Sequence, residues 1–168
     1  PYSCCGVLAA AITYDKFTCN QYLKAFGVRI AESLLLRRGQ SVSDEEVVEK
    51  IGLPCFIKPS LGGSSFGVTK VKTKEQIQPA IVKAFGEAEE VIVEAFMDGT
   101  ELTCGCYKTK EKSVIFPPTE VVTHNEFFDY DAKYNGQVDE ITPARISDEL
   151  TKRVQKVGGQ AVLGRQVS

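Results

Sequence analysis

Several features are scarce in this chain of 168 residues. It has a single histidine, His124, and 20 Lys and Arg against 22 Asp and Glu leave a formal charge of only −2. The basic residues are also spread along the chain, whereas binding to a phosphate backbone needs a concentrated basic stripe. We therefore expect no nucleic acid partner.

Long apolar runs are absent as well. The longest nearly apolar stretch, residues 4–13, is far shorter than the roughly 20 residues of a membrane-spanning helix, and no basic segment precedes it as in a signal peptide. We expect no membrane partner and a cytoplasmic location. The chain opens at Pro1 without an initiator Met, which we interpret as a start within a longer protein.

Cysteines are few for a disulfide-built protein, and they lie within apolar segments: Cys4, Cys5, Cys19, Cys55, Cys104 and Cys106. This placement favours free buried thiols in a reducing compartment. Zinc sites need spaced Cys pairs with His partners, whereas this chain offers one adjacent pair, one C-x-C and one histidine. No metal site is predicted in this chain.

Apolar spacing and capping residues predict an α/β (α+β) fold. Helices are expected over residues 15–26 with Gly27 as the stop, after Ser43 as far as Gly52, and after Thr73 as far as Gly86. A further helix is expected over 148–157, broken by the glycines at 158 and 159. Strands are expected over 28–36, 55–58, 68–71, 91–94, 101–107 and 113–122. The stretch 123–143 lacks periodicity and is predicted to be a long functional loop.

The segment KPSLGGSSFG, residues 58–67, suits anion binding. A lysine ends a strand, and glycines with hydroxyl residues follow, so backbone N–H groups and hydroxyls could surround a phosphate. It is not a P-loop, because Val68 stands where that motif needs Lys, and it lacks the G-x-G spacing of a dinucleotide fingerprint. On composition alone, a flexible hairpin turn is an equal alternative.

Four motifs in one order carry a resemblance to a known family. They are ITYDK, PCFIKPSLGGSSFGVTKV, EVIVEAFMDGTELTC and FFDYDAKY. Over about residues 1–157 the chain resembles the ATP-grasp family and, within it, the D-alanine:D-alanine ligases. The resemblance implies a linker and helix from the end of an N-terminal domain (1–27) and an ATP-grasp small lobe with a mixed sheet and flanking helices (28–97). A partial C-terminal catalytic lobe with an atypical tail (98–168) would follow.

The resemblance also implies site residues. Lys16, Lys58 and Lys133 match lysines that contact ATP phosphates, and Tyr134 matches a tyrosine that positions substrate near Ser64. The stretch 61–67 matches a mobile flap over the phosphates. The remaining ATP contacts implied are Ser64, Ser65 and Gly67 of the flap, Glu94, Ala95, Phe96 and Met97 at the adenine, and Glu101 at the ribose. Ser64, Lys133 and Tyr134 are the implied catalytic residues, whereas His124, Phe127 and Phe128 are expected to have no catalytic role.

The reaction implied is phosphorylation of one D-alanine by ATP to an acyl phosphate, which a second D-alanine then attacks, as in bacterial peptidoglycan precursor synthesis. Mg2+ is implied as a cofactor, with ligands expected beyond the C-terminus of this chain, so the isolated chain is expected to be inactive. The full-length protein is expected to be a homodimer. The alternatives are a ligase joining D-alanine to D-lactate or D-serine, and a non-catalytic nucleotide-binding fragment.

Overall fold

A computed structural model of the chain describes residues 5–123 and 138–163. The chain divides into two compact units, Pro1–Met97 and Asp98–Ser168. Within the described residues, no helix combines the length and the apolar character that crossing a membrane requires.

Two helices open the first unit. Helix α1 (Val7–Tyr14) is apolar on every side, yet none of its residues is buried in the described structure. Helix α2 (Lys16–Ala25) is the helix predicted over 15–26. Asp15 caps its N-terminus by accepting a hydrogen bond from the Thr18 N–H, and Gly27, with a φ of +80°, follows its end. The cap and the stop are both as the sequence predicts.

A four-stranded sheet with the order β1-β4-β2-β3 forms the body of this unit. Its strands are β1 (Ser33–Arg37), β2 (Cys55–Pro59), β3 (Thr69–Val71) and β4 (Glu90–Ala95). The fold class is confirmed, with one refinement: the described strand pairs are all antiparallel, so the expected mixed sheet is not observed. The strand predicted over 28–36 starts only at Ser33, because its partner β4 ends opposite Glu32.

Two capped helices cover one side of this sheet. Helix α3 (Asp44–Lys50) follows Ser43, whose hydroxyl accepts from the Glu46 N–H. Thr73 and Gln76 form the predicted capping box. The first turn after Thr73 is a 3-10 helix (Lys74–Gln76), and helix α4 (Ile77–Phe85) follows it.

The apolar face of α4 packs with one face of the sheet to form the core of the unit. The core residues are almost fully inaccessible and include Val47, Cys55, Ile57, Val71, Ile77, Ala84, Val91 and Val93. Because successive strand residues alternate in direction, the intervening residues of β2 and β4 point away from this core. They form the opposite face of the sheet, where the predicted site residues lie.

The second unit corrects two strand predictions. The segment 101–107 forms two strands in different sheets, β5 (Glu101–Thr103) and β6 (Cys106–Lys108), separated at Gly105. The segment 113–122 likewise divides into β7 (Ser113–Ile115) and β8 (Thr119–Thr123), with two prolines between them. Proline lacks an N–H for the strand ladder, which explains the second interruption. Strand β6 pairs with β7, whereas β5 and β9 (Val138–Ile141) flank β8.

The predicted loop 123–143 is thus in part a strand, β9, which runs antiparallel to β8. Residues 124–137, and with them His124, Phe127 and Phe128, lie outside the described residues. Arg145 follows β9 and holds Glu120 of β8 through both carboxylate oxygens, at 2.9 Å and 2.8 Å. The hydrogen bonds and charge of this guanidinium hold the pKa of the Glu120 carboxyl below its usual value.

Helix α5 (Asp148–Leu163) continues through the glycines that were expected to break it. An added Cβ at Gly158 would stand 3.7 Å from the Cys104 sulfur, and the Cys106 sulfur lies 3.9 Å from the Gly158 carbonyl oxygen. An added Cβ at Gly158 would be in ordinary van der Waals contact, and helix α5 packs against β6 and β7. Tertiary packing therefore offsets the low helix propensity of these glycines.

The five described cysteines carry free thiols, but only one is buried, so the expectation of buried thiols is wrong for the other four. Cys55 is fully inaccessible in β2, Cys5 is exposed, and Cys19, Cys104 and Cys106 are half-buried. Burial raises the pKa of the Cys55 thiol to about 11, so this thiol stays protonated at neutral pH.

Candidate nucleotide site of the first unit

The sheet face opposite the core carries a lysine and a glutamate from neighbouring strands. Phe56 lies directly across from Glu94 and Lys58 directly across from Ile92, so these four residues share one face, called here the site face. Lys58 and Glu94 are diagonal neighbours, and the Lys58 Nζ donates to the Glu94 Oε1 at 2.5 Å. Their side chains are only 19% and 14% exposed.

Helix α2 adds a second donor to this pair. The Asn20 Nδ2 donates to the other oxygen of Glu94, Oε2, at 3.4 Å. The carboxylate is thus held from the neighbouring strand on one side and from the helix on the other. This arrangement orients the Glu94 carboxylate and, through it, the ammonium group of Lys58.

Lys16 reaches the segment that follows Lys58. Its ammonium donates to the carbonyl oxygens of Pro59 and Ser60, both at 3.2 Å, and of Gly62, at 2.8 Å. Pro59 and Ser60 are called here the flap stem, because the predicted flap, residues 61–67, follows directly. The structure therefore places the ammonium group of one predicted lysine against the segment that directly follows the other, 42 positions away in the sequence.

The flap backbone adopts conformations that are unusual for residues with side chains. Ser64 and Ser65 have φ angles of +54° and +58°, and Gly62 and Gly67 also lie in the left-handed region. At Gly67 a Cβ would stand 3.0 Å from Pro59 and from Glu87. Successive residues of positive φ turn neighbouring N–H groups toward one side, an arrangement that suits anion binding.

The predicted adenine-binding residues 94–97 form the end of β4 and the residues just beyond it. The N–H of Ala95 donates to the Glu32 carbonyl at 2.9 Å and that of Phe96 to the Pro54 carbonyl at 3.3 Å. Within residues 5–123 and 138–163, the N–H of Met97 has no hydrogen-bond partner, and its side chain is 66% exposed. Met97 therefore presents the available backbone donor of this segment.

An aromatic cluster supports the same segment. The Phe96 ring lies 6.1 Å from the Phe56 ring between centroids, and the Lys70 Nζ of β3 stands 4.1 Å from the Phe96 centroid. The contact is a cation–π interaction, which restrains the Phe96 ring.

The remaining predicted site residues lie in the second unit or outside the described residues. Glu101 begins β5 in the second unit and is exposed. Lys133 and Tyr134 lie outside the described residues. For Mg2+, the described residues contain no group of three or more His, Cys, Asp or Glu side chains that could hold a metal ion.

Four residues of the site were missed from the sequence: Asp15, Asn20, Ser60 and Lys70. A signal existed for two of them. Asp15 directly precedes a predicted helix, which is typical of a capping residue, and Lys70 follows the strand alternation that places it beside Phe56. Asn20 and Ser60 acquire their roles through partners 74 and 45 positions away, for which the sequence holds no local signal.

The antiparallel sheet with Lys58, the helix lysine Lys16, the glycine-serine flap and the open backbone donor after β4 define an ATP-grasp ligase lobe. The model of the family described as "D-ala D-ala ligase C-terminus" matches residues 22–163, which is most of the chain. The chain belongs to this family of D-alanine:D-alanine ligases. The match continues past residue 157, where the resemblance was expected to end, and it begins after Lys16.

Curated relatives agree with this assignment. The chain is 94% identical over 155 residues to the D-alanine--D-alanine ligase of Bacteroides thetaiotaomicron and 90% identical over 155 residues to that of Bacteroides fragilis. Each alignment covers 92% of this chain and 48% of the relative. The chain therefore spans about half the length of the curated relatives it matches.

Solved structures share the fold. The VanG D-Ala:D-Ser ligase from Enterococcus faecalis has a TM-score of 0.80 at 32% identity, covering 94% of this chain and 46% of that one. The D-alanyl-alanine synthetase A of Vibrio cholerae has a TM-score of 0.80 at 30% identity, covering 96% and 50%.

Proposed function

We propose that this chain supplies the ATP-binding part of a ligase that joins two D-alanines through an acyl phosphate, in bacterial peptidoglycan precursor synthesis. The single observation that carries the proposal is the contact of the Lys16 ammonium with the flap stem, the segment that directly follows Lys58. The Lys16 Nζ contacts the carbonyl of Pro59, the residue after Lys58, and the flap follows within two residues. Two cations beside a flexible loop suit a polyphosphate ligand.

Charge neutralisation is the task we assign to the two lysines. A triphosphate brings several negative charges close to a carboxylate substrate, and cations stabilise the charge that moves during phosphoryl transfer. Both ammonium groups already contact oxygen atoms in the protein, Lys58 the Glu94 carboxylate and Lys16 three carbonyls. Phosphate oxygens would replace some of these partners, so the lysines are positioned before ATP arrives.

The base and sugar have their own proposed contacts. The N–H of Met97, with no partner in the described part of the chain, would donate to the adenine ring, which would pack beside Phe96. We assign Glu101 to the ribose hydroxyls. Ser64 and Ser65 would lie over the phosphates, with the backbone turn at Gly67 beside them, while Lys133 and Tyr134 would complete the catalytic set.

The family is ATP-dependent, typically with Mg2+, and we propose the same for the whole protein. Within the described residues, no group of three or more His, Cys, Asp or Glu side chains could hold the ion. We also propose a bacterial cytoplasmic location, a homodimer for the full-length protein, and the division into residues 1–27, 28–97 and 98–168.

A different second substrate is the main alternative. The similarity to a D-Ala:D-Ser ligase structure at 32% identity favours considering D-serine. The curated relatives at 90% and 94% identity are named D-alanine--D-alanine ligases, which favours D-alanine more strongly. D-Lactate as second substrate and a purely nucleotide-binding chain remain the other two candidates.

Calorimetric titration of the 168-residue chain with ATP, with and without Mg2+, tests the proposal. We expect saturable binding that Lys58→Ala weakens at least tenfold, because a charge-assisted contact to phosphate is lost. Lys50→Ala is the matched control, since this lysine forms an exposed pair with Glu46 on α3 and should leave the affinity unchanged. No binding by a cooperatively folded chain would contradict the proposal.

A second assay separates binding from turnover. We expect no D-alanine-dependent release of phosphate from this chain alone, whereas a full-length relative should show it. Release by the 168-residue chain would contradict the expectation that essential groups lie outside it.

A further inference from the structure

One carboxylate oxygen joins helix α2 to the flap stem. The Asp15 Oδ1 accepts from the Thr18 N–H at 2.8 Å, which caps the helix, and from the Ser60 hydroxyl at 2.9 Å. Ser60 is fully buried, with 0% of its surface exposed. Partial burial would by itself raise the pKa of the Asp15 carboxyl, but the bonds from Thr18, Ser60 and Phe17 outweigh it and lower that pKa. The carboxylate therefore stays ionised and able to accept both bonds at neutral pH.

The backbone reinforces the same junction. The Lys16 N–H donates to the Ser60 carbonyl at 3.1 Å, and the Lys16 ammonium contacts the carbonyls of Pro59, Ser60 and Gly62. The position of the Lys16 ammonium and the path of the stem therefore depend on each other. The Ser60 hydroxyl bond adds a second side-chain link between the stem and the helix, through Asp15.

The flap beyond the stem needs such an anchor. Ser64 and Ser65 hold left-handed backbone conformations, which are unfavourable for residues with a Cβ and persist only where surrounding contacts maintain them. The flap ends at Gly67, where close contacts with Pro59 leave no room for a side chain. If the stem moved, the contacts that maintain the flap conformation and those that hold the Lys16 ammonium would be lost together.

We propose that Asp15 and Ser60 are positioning residues that hold the flap stem and the Lys16 ammonium in the geometry required for nucleotide binding. The inference rests on the proposed ATP site and deepens it. Neither residue touches the nucleotide in this proposal, since both act through Lys16 and the flap. Loss of the Ser60 hydroxyl should loosen the flap without removing the cap of α2, because Asp15 keeps its bond to Thr18.

Limited chymotrypsin digestion of the 168-residue chain measures flap order directly. Phe66 lies in the flap and is 58% exposed, and the similarly exposed Phe26 at the end of α2 serves as the internal reference. We expect Ser60→Ala to raise the rate of cleavage after Phe66 about fivefold or more relative to that after Phe26. Ser43→Ala is the matched control, because it removes a serine hydroxyl bond at the α3 cap, away from the flap.

The affinity for ATP, measured by calorimetry, gives the second readout. We expect Ser60→Ala and Asp15→Ala to bind ATP about tenfold more weakly, as for loss of a hydrogen bond to a charged group. Asp15→Asn keeps an acceptor oxygen and should bind within about threefold of the unaltered chain. Ser43→Ala should be unchanged. If the role of these residues were merely structural, all four variants would be less stable, but their affinities for ATP would not follow this order.

The outcomes separate this inference from the proposed function. If the unaltered chain binds ATP and Ser60→Ala changes neither the affinity nor the cleavage after Phe66, the positioning role is wrong. If the unaltered chain binds no ATP, the proposed function fails, and cleavage after Phe66 alone decides whether Asp15 and Ser60 anchor the flap. Unchanged cleavage in both Ser60→Ala and Asp15→Ala would overturn the anchoring role in either case.

Discussion

The pair formed by Lys58 and Glu94 offers a quantitative test of the site geometry. Both side chains are more than four-fifths buried, and the two charged atoms are 2.5 Å apart. Removing one member leaves the other charge buried without its partner, which costs about 3–5 kcal/mol when burial is complete. Because some exposure remains and Asn20 still contacts Glu94, we expect Lys58→Met to lower the free energy of unfolding by about 2–3 kcal/mol.

Replacing both residues should recover much of that loss. In Lys58→Met with Glu94→Met, no unpaired charge remains, and apolar replacement of a buried ion pair is often close to neutral. Because each single variant leaves one charge unpaired and the double variant leaves none, a double-mutant cycle should give a coupling free energy of at least about 2–3 kcal/mol. Urea unfolding followed by circular dichroism measures the unaltered chain and the three variants, with the slope m compared across them to detect changes in the unfolded state.

An exposed ion pair on α3 provides the matched control. Lys50 and Glu46 are 2.7 Å apart, but their side chains are 55% and 43% exposed. The corresponding cycle should give a much smaller coupling free energy, because solvent screens an exposed pair. A coupling free energy for the buried pair no larger than that of the exposed pair would contradict this prediction, because the two substitutions at the buried pair would then be nearly additive.

Three further predictions concern other parts of the chain. Gly67→Ala should lower the free energy of unfolding by about 1–3 kcal/mol more than Gly62→Ala does. Both glycines have a positive φ, but only at Gly67 would an added Cβ lie within about 3 Å of other atoms. Urea unfolding of the two variants measures the difference. Cys5 is exposed and should react with an aromatic disulfide reagent at pH 8, whereas the buried Cys55, with a pKa of about 11, should react only when the chain unfolds. Rapid labelling of Cys55 in the folded chain would contradict its burial. The pKa of Glu120 is lowered in the folded state, so its carboxylate stabilises the second unit at pH values above its ordinary pKa of 4.5, and this contribution is lost as the pH falls through the folded pKa. Glu120→Gln should therefore make the free energy of unfolding depend less steeply on pH in the acid range.

Local features of the first unit could be predicted from the sequence because their causes are local. Ser43 and Thr73 cap helices through N–H groups three residues away, and Gly27 and Gly52 have the positive φ that ends a helix. The alternation in β2 likewise shows which residues face the core. Each of these depends on residues within a few positions, which is the range over which sequence patterns are informative.

The strand and helix predictions that failed in the second unit share a different cause. The segment 101–107 has the composition of one strand, but its two ends pair with different partners, β8 and β7. Helix α5 continues past residue 157, where Gly158 lies beside Cys104 and Cys106. Strand pairing and helix packing are tertiary events, and they override local propensity.

The sequence by itself determined the family, most elements of the first unit other than helix α1, and the types of residue at the candidate site. Four ordered motifs supplied the lysines, the glycine-serine flap and the residues that follow β4. Only the tertiary structure decided how these groups are held. Sheet register places Lys58 beside Glu94, and the contact of α2 with the stem joins Asp15 to Ser60, 45 positions away. Such partners are selected by packing across the fold, because hydrogen bonds act over a few ångströms in space irrespective of distance along the chain.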